Sequence, residues 1–191
     1  KLETALAILN DPPLVVRQLT LAWLEEANDG RADIKHELEF LVTQLDVDVS
    51  GYATSGEMEA IPYGTELLDI EWADDVDVDI IDTSDPDEHG TVTTIVSMPL
   101  QINVRVHVEL SFSVWDSVDR ESISMGGRSV EVDDLHHIRA TITVRMHNLE
   151  GDEPEIEYVS TEIDLNNIYV ELDDVDMFDP EDYYDDRDEQ V

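Results

Sequence analysis

From Gln101 to Trp115, apolar side chains fall on every second position. Ile102, Val104, Val106, Val108, Leu110, Phe112 and Val114 alternate with Gln101, Asn103, Arg105, His107, Glu109, Ser111 and Ser113. Successive side chains of a strand point to opposite faces, so this period of two predicts a strand with one dry and one wet face. At about 3.3 Å per residue it would run some 45 Å, long enough to expect a bend or a bulge. A second long strand is predicted over His137–His147, with Ile138, Ala140, Ile142, Val144 and Met146 inward. Shorter runs predict strands around Val47 and Val49, over 68–70, 76–80, 91–98 and 129–132, and over 156–165 and 168–172. Between them lie a Gly- and Ser-containing loop through Gly64, the turn 82–90, a connection over 117–127 and a turn at 151–154. Met125-Gly126-Gly127 is the expected tight point of that connection, and Asn166-Asn167 is placed to turn a hairpin, since Asn tolerates positive φ. Strands joined in this way predict an antiparallel sheet folded into a sandwich or open barrel.

The first 46 residues follow the helical period instead. A short helix is expected over 2–9. Asp11-Pro12-Pro13 then signals a second start, with Asp as N-cap and proline in the first turn, where its missing N–H costs nothing. Leu14, Val15, Leu19, Leu21, Ala22 and Leu24 follow at helical spacing, with Trp23 nearby. Asn28-Asp29-Gly30 is expected to end that helix. A third, over about 32–45, carries Ile34, Leu38, Leu41, Val42 and Leu45 on one face. The fold expectation is therefore α+β: a helical segment 1–46, an antiparallel β domain 47–172 and an acidic tail 173–191. That tail holds ten acids and one arginine, with Met177, Phe178, Tyr183 and Tyr184 among them, a composition that predicts disorder or a peptide that docks on a basic groove.

Charge narrows the partners. The 191 residues hold 48 acids against 10 lysines and arginines, a net charge of −38, and only Lys1 and Lys35 are lysines. Phosphate binding needs clustered cations, so the chain should be repelled by nucleic acid and by anionic membranes. Basic proteins, cations, or a surface that normally receives nucleic acid are the expected partners. The same charge also fits an ordinary domain kept soluble in a salty cytoplasm, which would unfold in low salt. There is no cysteine, which excludes disulfides and thiolate metal sites. No apolar run reaches the ~20 residues of a membrane helix and no signal peptide is visible, so a cytoplasmic chain is expected. It begins at Lys1, which suggests a fragment or a processed product.

The few cations cluster. The segment 101–148 holds five of the eight arginines and four of the six histidines, and alternation puts Arg105, His107, Arg139, Arg145 and His147 on outward positions. Such a face could receive an anion or an acidic partner, with histidine making it pH-sensitive. Glu155, Glu157, Glu162 and Asp164 are equally placed to neutralise it across strands. Asp75, Asp77 and Asp79 begin like a calcium loop, but Ile80 stands where glycine is required and Pro86 where a bidentate glutamate belongs. A looser cation site at Asp82, Asp85, Asp87 and Glu88 is the remaining metal candidate. His36-Glu37 lacks the second histidine of a zincin, His136 and His137 point to opposite faces, and neither Gly-x-Ser-x-Gly nor a phosphate loop occurs. No catalytic residue, resident metal or cofactor is assigned.

The order of features is more specific than any one motif. Short helices lead to Val49-Ser50-Gly51-Tyr52, then to carboxylate-rich strands around Ile70-Glu71-Trp72 and 76–80. The long 104–114 strand, a polar connection over 117–128 and a Val/Ile/Thr-rich strand over 138–144 follow. Over about residues 30–172 this resembles the region that follows the catalytic domain in some bacterial PIN-like nuclease proteins. The resemblance implies an accessory, regulatory or sensing domain. No residue here maps onto the acidic metal-binding cluster of such nucleases, so any RNA cleavage would belong to a domain upstream. A second class of function stays open: a free-standing acidic inhibitor that mimics nucleic acid and occupies a basic DNA- or RNA-binding site.

Overall fold

Helix α1 (Pro12–Trp23) starts at the paired prolines, as their fixed φ dictates. Its buried side chains Val16 and Thr20, and Leu24 just past its end, recur every four residues, and the Thr20 hydroxyl donates to the Val16 carbonyl at 2.9 Å. Helix α2 (Gly30–Val42) buries Ile34, Leu38 and Val42 completely, again one per turn, and leaves Lys35, His36 and Glu39 exposed. A computed structural model describes residues 12–25, 30–72, 78–149, 154–173 and 175, with side chains from Val15 onward. The expected helix 2–9, the Asp11 cap, Asn28-Asp29, the calcium-like Asp75 and Asp77, the turn 151–153 and nearly all of the acidic tail lie outside the described residues.

Gly30 does not end α1; it opens α2. A Cβ there would come within 2.5 Å of the Trp23 carbonyl oxygen and 2.6 Å of its ring, so glycine is demanded by close packing.

Seven strands follow: β1 (Asp46–Ser50), β2 (Glu57–Trp72), β3 (Asp79–Thr83), β4 (Val92–Asp116), β5 (Glu121–His147), β6 (Glu155–Ile163) and β7 (Asn167–Glu171). Five form a sheet of order β2-β4-β5-β6 with β3 also on β4; its path is open, with β2 and β6 at its ends. The fold is α+β and mostly antiparallel, as the alternation predicts. Strands β2, β4 and β5 are longer than predicted. Residues 57–64, read as loop, belong to β2, and Met125-Gly126-Gly127 lies inside β5. The real turn is the four residues 117–120, with Arg120 at φ 61. Gly126 takes φ 99 within the strand, so the local turn signal marks a kink.

The expected 166–167 hairpin does not form. β7 pairs with β1 in parallel, Val47 opposite Ile168 and Val49 opposite Val170. A type I′ hairpin turn needs positive φ at both central residues, whereas the described non-glycine residues with positive φ are Arg120 and Asn148. Pairing with β1 instead puts four branched apolar side chains at matching register, and Ile168 and Val170 are buried.

The chain divides into two compact units. One holds the helices, Glu66–Val104 and Leu135–Asn166. In it α2 packs against β6, Trp23 stacks on Tyr158 at 6.4 Å, and Arg31 lies 5.2 Å over the Trp72 ring. Pro99, which cannot donate to a ladder, falls where β4 changes neighbours. Ser97 is the last residue paired with β3, and the Gln101 amide reaches Glu71 near the end of β2. The other unit holds Asp46–Thr65, Arg105–Asp134 and β7. Its centre is Val106, Val108 and Leu110, all fully buried, with Phe112, Ile168 and Val170. A Cβ on Gly127 would run into the Leu110 carbonyl oxygen, so the backbones of β4 and β5 meet closely there.

Candidate interaction surface

Alternation on β4 sets Arg105 and His107 on the same face, two residues apart, each half-buried. The same rule on β5 aligns Glu131 with Asp133. Arg105 Nε donates to Asp133 Oδ1 at 2.7 Å and Nη2 to Oδ2 at 3.0 Å, a two-bonded fork. Its Nη1 lies 3.2 Å from Glu131 Oε2. His107 Nδ1 is 3.5 Å from the other Glu131 oxygen, and its ring is tilted against Tyr63 at 5.7 Å between centroids. The hydrogen bonds from Arg105 hold the Asp133 carboxyl below its usual range, with the guanidinium charge adding to the effect.

The other unit contains a second pairing of this kind. Arg145 stands opposite Glu157 in the β5–β6 register, and its Nη1 lies 3.6 Å from Glu157 Oε2. His147 Nε2 is 3.3 Å from the same oxygen, and its Nδ1 is 3.1 Å from the Thr91 hydroxyl. Arg139 has different partners. Its Nη1 donates to the Ser97 hydroxyl at 3.1 Å and lies 3.8 Å from Asp79, while its backbone N–H donates to Asp164 Oδ1 at 2.7 Å. Arg105 and His107 thus meet through Glu131, Arg145 and His147 through Glu157, and Arg139 stands with Asp79 and Ser97. Sequence reasoning named Glu157 and Asp164 among the neutralising acids and missed Glu131 and Asp133. Their spacing, two acids on alternate positions with Val132 between them, was the available signal.

The four cation candidates serve the turn instead of converging. Asp87 Oδ1 accepts the backbone N–H groups of Thr91 at 2.9 Å and His89 at 2.8 Å, which holds its pKa below the usual range. Asp82 Oδ1 accepts the N–H of Thr83, the Asp85 carbonyl accepts the Ser84 hydroxyl, and Glu88 lies 3.6 Å from His89. Among the described residues no three His, Asp or Glu side chains gather as a metal would require.

Acids dominate the charged groups that remain outward. Asp46 and Asp48 on β1, Glu57 and Glu59 on β2, and Glu155 and Glu162 on β6 are all exposed. Among the described residues no helix is long and apolar enough to cross a membrane. No family model, curated protein or solved structure matches this chain.

Proposed function

We propose that this chain is a non-catalytic binding domain that docks its anionic surface on a basic protein surface, in the cytoplasm, as an accessory or regulatory domain of a PIN-like nuclease. The pairing of its arginines carries the reading. Arg105 and Arg145 are engaged by carboxylates of neighbouring strands, while a large excess of acid stays exposed. Such a surface repels phosphate and is attracted to the basic groove into which RNA would enter. Bound there, the domain would exclude RNA until a trigger releases it.

The test adds the chain to a purified PIN-like nuclease domain cutting a fluorescent RNA. Cleavage should slow at low ionic strength and recover when about 0.5 M salt shortens the screening length. Undiminished cleavage at low salt with the chain in excess would rule the nuclease reading out.

A second reading is favoured by the spacing of the exposed acids. Steps of two residues, as between Asp46 and Asp48 or Glu57 and Glu59, set carboxylates about 7 Å apart along a strand. That regularity suits a nucleic-acid mimic that competes for a basic DNA- or RNA-binding protein. Displacement of a labelled DNA duplex from such a protein, without effect on the nuclease, would select this reading over the first.

A further inference from the structure

The end of the β4–β5 hairpin combines a fixed backbone with uncovered apolar side chains. The Arg120 N–H donates to the Asp116 carbonyl at 2.8 Å, and Asp116 Oδ1 accepts the Val118 N–H at 2.7 Å, so the turn is tied from both directions. Around it Val118 is 85% exposed and Trp115 59%, and Val114, Ile123 and Met125 are exposed as well. From Glu121 to Gly127 every residue is exposed, on both faces of the strand. Single exposed apolar residues are ordinary. Five large ones within twelve residues concentrate uncovered apolar surface at one hairpin end, and such concentrations mark contact sites.

Charge selects what covers it. Asp116, Asp119 and Glu121 surround the tip against Arg120 alone, in a chain of net charge −38. A second copy would bring the same repelling charge to the same place, and an anionic lipid surface would be repelled too. The complement is an apolar cleft rimmed by cations. We propose that the β4–β5 hairpin end is a docking element that seats Trp115 and Val118 in an apolar cleft, rimmed by lysine or arginine, on a partner protein. This rests on the acidic-docking reading and names its contact element. Electrostatics would steer the encounter, and the tryptophan would supply a buried anchor.

Tryptophan emission reports directly, because Trp23 and Trp72 are half-buried while Trp115 is exposed. The full chain is titrated with an amphipathic Lys/Leu peptide and, in parallel, with a Lys/Ser peptide of equal charge. The Lys/Leu peptide should bind more tightly and shift the emission to the blue. Trp115→Phe should remove the shift. A Val118→Ser/Ile123→Ser variant should weaken Lys/Leu binding about tenfold or more, leaving Lys/Ser binding and the circular dichroism spectrum unchanged. Equal binding of both peptides with no shift overturns the hairpin proposal and leaves acidic docking standing. Binding of neither overturns both. A blue shift on concentrating the chain alone, with dimers in sedimentation, assigns the patch to a second copy. A shift on phosphatidylcholine vesicles without one on the Lys/Leu peptide assigns it to lipid. Either result overturns the proposal.

Discussion

The strands β4 and β5 change character along their length. From Ile102 to Leu110 and from Ile138 to Met146, every second side chain is buried. From Glu121 to Gly127 none is, although Ile123 and Met125 alternate with Ser122, Ser124 and Gly126 just as regularly. A period of two says only that the two faces differ. Whether the apolar face is covered depends on residues distant in sequence, and among the described residues one stretch is buried and the other is exposed.

Truncating the two stretches should separate them most. Ile142→Ala removes a side chain that is 1% exposed and should cost about 2–5 kcal/mol. Ile123→Ala should stay within about 0.5 kcal/mol. Urea unfolding measures both, and equal costs would mean that the hairpin end is covered in solution. Next in size, Gly127→Ala should destabilise by about 1–3 kcal/mol, because its methyl meets the Leu110 carbonyl. An unchanged midpoint would show that the strands part at this level.

Smaller again is the change from Arg105→Lys, since lysine keeps the charge and loses the fork on Asp133. Its loss should exceed that of Arg145→Lys, whose ion pair to Glu157 is a 3.6 Å contact through one nitrogen. The smallest effect is read against pH. The folded Asp133 pKa lies below its unfolded value, so the carboxylate stabilises the fold above the ordinary carboxylate range, and this is lost as pH falls through the folded value. The stability difference between wild type and Asp133→Asn should therefore be full at neutral pH and fade in acid. A difference that persists below the folded value would assign the effect of the substitution to packing.

Much of this could be read in the chain beforehand. The β4 alternation, the Pro12-Pro13 helix start and the Ile34, Leu38, Val42 face of α2 are local patterns, and each formed what its period predicts. Arg145 and Glu157 were legible as neighbours because β5 and β6 are adjacent in sequence and joined by a short connection. Arg105 and Asp133 lie 28 residues apart, and nothing local sets their register. The glycines misled most. Gly64 and Gly126-Gly127 read as breaks, but long pairing partners carried β2 and β5 through them.

By itself the sequence determined the two helices, the dry faces of Ile102–Leu110 in β4 and Ile138–Met146 in β5, and the sign of the net charge, because period, proline and net charge act over a few residues or over the whole chain at once. Only the tertiary structure decided that β7 lies parallel to β1, that Gly30 opens a helix against Trp23, and that the apolar positions of the hairpin end stay uncovered. Each of these depends on which distant backbone comes alongside, and no local preference encodes that choice.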